Sequence, residues 1–211
     1  AVITEQVKVK RWGVGVLQDD PDAISKRLRL IEAVSSRIPI IPETSFSWED
    51  GVLVQRQQWI PSAVTLSKLI RRSDSPPPPK ILANFAGAID HMHRLGLIHW
   101  DLKPSNICWD GETLHLLDWE PSLLQYQSGK LTLVVTPAYV APSERRGPGP
   151  MALSDRFAWI KTLLLLGLRN ETFDDVDDSL TQRSRTSSID RRIEDYVRNR
   201  TLALCTWRDF G

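Results

Sequence analysis

The chain has 211 residues, 41% of them hydrophobic and 25% charged, with a formal net charge of +1; this is the make-up of an ordinary folded domain, and a charge so near zero gives no global attraction to nucleic acid or a membrane surface. Two cysteines, Cys108 and Cys205, exclude a disulfide framework and lack metal-site spacing. The longest apolar run, Leu163 to Leu168, is far too short to cross a bilayer, and no basic segment with an apolar core opens the chain, so a reducing cytosol is the expected compartment, of the producing cell or of a cell it enters.

Val7-Lys8-Val9-Lys10 alternates apolar and charged residues as a half-buried strand does. Asp19 to Asp22, with Pro21, is a polar helix start, and Ile24, Leu28, Ile31 and Val34 then fall at helical spacing until the prolines of Ile38 to Ile41. Val52 to Trp59 reads as a strand and Ser62 to Ile70 as a short helix. Pro76 to Pro79 is a stiff polyproline spacer. Ile81, Leu82, Phe85, Ile89 and Met92 form an apolar stripe, so Lys80 to Leu95 is an amphipathic helix that Gly96 ends. Ile107-Cys108-Trp109, Asp110-Gly111 and Leu114 to Leu117 read as a hairpin. Ser154-Asp155 starts a helix, Arg156 to Leu166, apolar on most faces and therefore buried. Residues 169–188, rich in Asp, Ser, Thr and Arg, read as a long loop, and Ile189 to Trp207 as a final amphipathic helix.

Between the amphipathic helix and the hairpin stands His99-Trp100-Asp101-Leu102-Lys103-Pro104-Ser105-Asn106, and the hairpin ends in Leu116-Leu117-Asp118-Trp119-Glu120. Folding the hairpin brings Asn106 and Asp118 together, two oxygen ligands of the kind a hard divalent cation takes. A carboxylate, a lysine and a metal pair in so short a stretch suit phosphoryl transfer, where positioning and charge neutralisation supply most of the catalysis.

This pattern resembles the catalytic loop of protein kinases, His-Arg-Asp-Leu-Lys-Pro-x-Asn followed by Asp-Phe-Gly. The resemblance implies an α+β, bilobal kinase-like fold in a single domain spanning 1–211. Residues 1–60 would be a reduced N-terminal lobe and 61–168 a mainly helical, shortened C-terminal lobe, followed by a loop and helix over 169–211. It further implies ATP and Mg²⁺ as cofactors and Ser or Thr hydroxyls of a protein as substrate. Asp101 would orient the acceptor hydroxyl, Lys103 would sit at the transferring phosphate, and Asn106 and Asp118 would hold the metal. Lys10 best matches the strand lysine that meets the nucleotide phosphates. Glu32, the only carboxylate between Asp22 and Glu43, is its expected partner. Thr136-Pro137-Ala138-Tyr139-Val140-Ala141-Pro142 resembles the substrate platform Thr-Pro-x-Tyr-x-Ala-Pro-Glu, with Thr136 bonding Asp101 and Lys103, and with Ser143 where Glu is usual and Glu144 one later. Asp155 matches the buried-helix aspartate that accepts hydrogen bonds from the catalytic-loop backbone.

The chain departs from the family pattern at several points. Trp100 replaces the Arg that clamps a phosphorylated activation loop, which argues against that mode of control. Trp119-Glu120 replaces Phe-Gly. No glycine-rich loop precedes the strand lysine, and Gly13-Val14-Gly15 follows it instead. Either that loop lies outside this sequence or a reduced lobe, completed or activated by a partner protein, holds the nucleotide. The expectation is a minimal or atypical kinase of the kind bacterial effectors resemble. Two other readings compete: a pseudokinase acting as a binding or scaffold module, motivated by the missing loop, and a small-molecule phosphotransferase. The latter shares the His-x-Asp-x-x-x-x-Asn skeleton but usually lacks the lysine and the platform. His99 reads as a scaffold residue, and His91, His93 and His115 as surface or structural. The tryptophans at 48, 59, 109, 159 and 207 read as core or lobe-edge packing, the 185–188 run as a solvated loop rather than a phosphosite, and Arg145-Arg146 equally as exposed residues or as a site for an acidic substrate patch.

Overall fold

The computed structural model describes residues 7–12, 21–50, 52–72, 74–118, 136–145, 152–167, 188–198 and 200. Its upper part is a three-stranded antiparallel sheet in the order β1-β3-β2, formed by β1 (Val7–Trp12), β2 (Thr44–Glu49) and β3 (Val52–Gln58). One helix, α1 (Pro21–Ser35), lies between β1 and β2 in the chain. The alternation at the N-terminus and the apolar run from Val52 form strands as expected, and both extend close to the predicted limits. Strand β2 is an addition. Its cue in the sequence is the Asp50-Gly51 pair, and Asp50 adopts the left-handed conformation (φ 49°) that a tight hairpin turn requires.

Helix α1 turns Leu28, Ile31 and Val34 inward and leaves Lys26 and Arg29 in solvent, as its period demands. Ile38, Ile40 and Ile41 continue this apolar surface beyond the helix, and they join one core with Phe85, Ile89, Leu116 and Trp159 of the lower part. The Ile40 carbonyl also accepts a hydrogen bond from Leu116 N–H at 2.7 Å, tying the α1–β2 connection to the hairpin below.

The lower part holds a second antiparallel sheet, β4-β5-β6: β4 (Val64–Thr65), β5 (Ile107–Trp109) and β6 (Leu114–Leu116). Val64 and Thr65 therefore pair with Trp109 and Cys108 rather than opening the helix expected from Ser62. Helix α2 covers Leu66–Arg72, starting later because β-branched Val64 and Thr65 are drawn onto the edge of the hairpin. Helix α3 (Pro79–Arg94) begins with a proline at its first position, where the missing N–H has no cost. It ends at Gly96 (φ 76°), with Leu97 N–H bonding back to the Met92 carbonyl at 2.9 Å. Helix α4 (Ala152–Gly167) is buried on nearly every face, with Trp159 stacked on Phe85 of α3 at 4.7 Å between ring centroids. Helix α5 (Ser188–Arg198) packs against α4 through Ile193 and Val197; residues 201–211, which complete the helix expected to reach Trp207, lie outside the described residues. The loop 169–187, Gly13 to Gly15, Trp119-Glu120 and Arg146 also lie outside them. Among the described residues, no helix is long and apolar enough to cross a membrane.

Candidate functional site

Residues 97–106 run from the end of α3 into β5, and they are held from three sides. From below, the carboxylate of Asp155 on α4, 1% exposed, accepts hydrogen bonds from His99 N–H at 2.7 Å and Trp100 N–H at 2.9 Å. His93 Nε2–H, from the last turn of α3, donates to the same carboxylate at 3.0 Å. Burial alone would raise the Asp155 pKa, but the His93 hydrogen bond and charge, with His99 beside it, hold it below its ordinary value. These contacts keep Trp100 in a left-handed conformation (φ 73°), unusual for a bulky residue.

From within, His99 is fully buried. Its Nε2–H donates to the Leu117 carbonyl at 2.7 Å, so its Nδ1 is left as an acceptor for Asp101 N–H at 3.3 Å. This arrangement fixes the neutral tautomer, and burial lowers the imidazole pKa against the opposing pull of Asp155. His99 thus couples the loop to the segment that follows β6 and carries Asp118.

From the side, the 136–145 segment closes on Asp101. Thr136 N–H donates to Asp101 Oδ1 at 3.0 Å. The Lys103 ammonium lies between Asp101 Oδ2 at 2.5 Å and the Thr136 hydroxyl at 2.8 Å. Asp101 is 6% exposed, so this carboxylate is largely shielded from water, with donors on both oxygens. Tyr139 lies in the same segment, in a short 3₁₀ turn, and lines with Lys103 and Thr136 a cleft of about 340 Å³.

Asn106 Nδ2 donates to the Asp101 carbonyl at 2.9 Å, which turns its Oδ1 the other way. The Asn106 carbonyl in turn accepts Leu117 N–H at 2.8 Å, so the hairpin sets Asp118 beside Asn106. Asp118 itself has φ 61°, a left-handed conformation uncommon outside glycine. An amide oxygen turned away from Asp101, met only by a long contact of 3.5 Å from the Ser105 hydroxyl among the described residues, and an adjoining half-exposed carboxylate make an oxygen donor set that fits Mg²⁺.

The two upper-lobe candidates are placed less directly. Lys10 stands opposite Gln55 in the β1–β3 register, and Gln55 stands opposite Phe46 in the β2–β3 register. Glu32 Oε1 accepts Phe46 N–H at 2.7 Å. Position 10, Gln55 and Phe46 therefore form one row across the sheet, and Glu32 reaches the end of that row. In the middle of the row Gln55 Oε1 is buried without a hydrogen-bond partner among the described residues.

Several further residues have roles that the sequence did not assign to them. Glu144 accepts hydrogen bonds from both Ser154 N–H at 3.1 Å and the Ser154 hydroxyl at 2.5 Å, capping α4. Lys161, 1% exposed, bonds the Ala138 carbonyl at 2.8 Å and Asp190 at 3.1 Å, and burial lowers its pKa. Arg145, expected to be exposed, pairs with Asp190 at 2.9 Å. Trp48 and Trp59 are about half exposed, while Trp159 is fully buried. Arg71 and Ser67 of α2 line the cleft beside Lys103; the cue for them is the basic spacing Lys68, Arg71, Arg72.

A family model for the protein kinase domain matches residues 65–201, well over half of the chain. Comparison with curated sequences gives no match. Among solved structures, the kinase domain of PknI from Mycobacterium tuberculosis is similar at TM-score 0.53 and 19% identity, over 90% of this chain and 83% of that one. A point mutant of the same domain gives TM-score 0.53 at 20% identity, over 90% and 82%. At such identity the structures speak for the fold, while the family model spans the catalytic loop, the hairpin and the segment that closes on Asp101. The chain belongs to the protein kinase family, with an α+β, bilobal fold whose N-terminal lobe is reduced.

Proposed function

We propose that the protein transfers the γ-phosphoryl group of ATP, with Mg²⁺, to Ser or Thr hydroxyls of a protein substrate. The observation that carries this reading is the Lys103 ammonium held between the Asp101 carboxylate and the Thr136 hydroxyl. In this reading Asp101 accepts the hydrogen bond of the acceptor hydroxyl. Its Oδ2 is shared by Lys103 and Asn106, whereas Oδ1 takes Thr136 N–H and keeps a lone pair for the acceptor. Lys103 faces the transferring phosphate, and Thr136 and Tyr139 form the platform for the acceptor peptide. Bound Mg²⁺ would neutralise phosphate oxygens; Asn106 and Asp118 would hold it. Lys10 would contact the nucleotide phosphates, oriented by Glu32 through the row that ends at Phe46, with the partnerless Gln55 Oε1 as a second acceptor for its ammonium. Positioning and a preorganised charge pattern then supply the rate.

The lysine two residues after Asp101, and its bond to Thr136, favour a protein acceptor over a small alcohol. The test is transfer of label from γ-labelled ATP with Mg²⁺ to the protein itself and to a generic protein substrate, with wild type and Asp118→Ala in parallel. Label with wild type alone is expected. Label in neither, with host lysate added as a source of an upper-lobe partner, would replace catalysis with a binding role. Label on small alcohols only would replace the substrate class.

A further inference from the structure

The cleft beside Lys103 is lined by Ser67, Ile70 and Arg71 of α2, by Pro104 and Ser105, and by Thr136, Tyr139 and Leu165. Ser67, Ile70 and Arg71 are spaced i, i+3, i+4, so one face of α2 forms a wall of it. No carboxylate is among these lining residues. Its two cations differ: Lys103 is already matched by Asp101, whereas Arg71 is exposed and has no ion-pair or hydrogen-bond partner among the described residues. Lys68 and Arg72 extend the same charge, since 68, 71 and 72 are again spaced i, i+3, i+4, and α2 contains no acidic residue. Asp74, the nearest acidic residue in the chain after α2, is exposed and is not part of the cleft lining.

We infer that this cleft selects acceptor sites flanked by acidic residues, with Arg71 as the specificity-determining side chain that meets a substrate carboxylate next to the acceptor hydroxyl. The inference rests on the protein-kinase reading of the site. A basic flanking residue would meet Arg71 and the stripe behind it and be repelled, whereas an Asp or Glu gains a charge-assisted hydrogen bond with a guanidinium that is not neutralised. Ile70, Leu165 and Tyr139 give the peptide an apolar floor, and Ser67 and Ser105 offer hydroxyls at its edge.

Two peptides that differ only in their flanking residues, Asp/Glu against Arg/Lys around one Ser, test this. Phosphorylation kinetics give the substrate preference. Fluorescence anisotropy of the same peptides with Ala for Ser gives binding without requiring transfer. Wild type should favour the acidic peptide in both readouts, by about two- to fivefold, the range of an exposed ion pair. The preference should shrink as salt is raised from 50 to 500 mM. Arg71→Glu should abolish or reverse it, and Arg72→Glu, outside the lining, should change it less; melting curves check that both variants are folded. Equal handling of the two peptides by wild type, a preference for the basic one, or a preference unchanged in a folded Arg71→Glu would each overturn the inference. If the acidic Ala peptide binds while no peptide is phosphorylated, the catalytic reading fails and acidic recognition stands.

Discussion

Replacing Asp155 tests how the catalytic loop is held. Asp155→Ala removes the acceptor of His99 N–H, Trp100 N–H and His93 Nε2–H in one step. The two backbone donors belong to a buried segment, and each buried donor left without an acceptor costs about 1–3 kcal/mol. Against this stands the relief of a fully buried carboxylate, but the net lowering of its pKa means the folded protein favours the charged form. The balance is a loss of about 3–5 kcal/mol, a large share of the stability of about 5–15 kcal/mol typical of a domain. For a chain of this size, that is a fall in melting temperature of about 6–20 °C. Asp155→Asn keeps one good acceptor oxygen but turns an NH₂ toward a donor, so it should lose about half as much. Thermal unfolding followed by circular dichroism, with urea unfolding to obtain free energies, decides it. A melting temperature of Asp155→Ala within 2 °C of wild type would refute the reasoning, as would an Asn variant less stable than the Ala one. Because Trp100 adjoins Asp101, the Ala variant should also lose activity at temperatures where it remains folded.

Asp101→Asn should reduce peptide phosphorylation by on the order of 10²–10⁴ while leaving the fold intact, and a wild-type rate would remove Asp101 from the chemistry. Thr136→Val deletes the hydroxyl acceptor of Lys103 but keeps the backbone donor to Asp101. A loss of about 1.4 kcal/mol, roughly tenfold in kcat/KM, is expected, and Thr136→Ser should restore the rate. Stability should decline as pH falls from 7.5 to 5.5. His99 is neutral in the folded chain with a lowered pKa, whereas the unfolded chain binds a proton near the ordinary value of 6.5. The unfolded state therefore carries more protons in that window, with a slope of up to about 1.4 kcal/mol per pH unit for one such group. Asp155, whose folded pKa is also lowered, adds a second loss only on falling through its ordinary value of 3.8. Urea midpoints across pH check both windows, and a flat profile between 7.5 and 5.5 would argue against a buried neutral His99. Lys161→Met removes the cation between Asp190 and the Ala138 carbonyl and should cost roughly 3 kcal/mol; Arg145, which still pairs with Asp190, limits the damage from an otherwise unpaired buried charge.

The lower part of the site was legible because its chemistry and its local structure lie in one short stretch. The amphipathic stripe of α3, the Gly96 stop and the Asp110-Gly111 turn each specify a local geometry, and together they bring Asn106 beside Asp118 without any long-range information. Asp155 could also be named from its place in the family pattern, and its two backbone bonds appear where the pattern implied. What the sequence did not convey depended on distant partners. Strand β2 carries little periodic signal, with Thr44 buried and Trp48 exposed, and forms because β3 offers an edge to pair with. Val64 and Thr65 read as the start of a helix until the hairpin edge recruits them. Lys161 sits in an apolar run and looked like part of a buried face; only Asp190, 29 positions away, and the Ala138 carbonyl explain a charge there.

The catalytic loop is therefore fixed by the packing of the lower part rather than by its own conformational preference. Left alone, the loop has no reason to hold Trp100 at positive φ, and no segment of regular structure spans 97–103. Its position comes from α4 through Asp155, from β6 and its continuation through His99 and Leu117, and from the 136–145 segment through Thr136. Those anchors are themselves rigid: α4 is buried between α3 and α5, and the 136–145 segment is pinned by Lys161, by Glu144 on Ser154 and by Arg145 on Asp190. The same anchors that order the loop thus order the platform facing it. Asp101 and Thr136 can hold a fixed separation even though they are 35 positions apart in the chain. The upper part contributes differently, since among the described residues its link to this frame includes the Ile40–Leu116 bond and the apolar contacts around Ile38 to Ile41. A reduced upper lobe is compatible with an ordered catalytic loop for this reason: the groups proposed to orient the acceptor do not depend on the sheet, whereas the groups proposed to meet the nucleotide, Lys10 and Glu32, do.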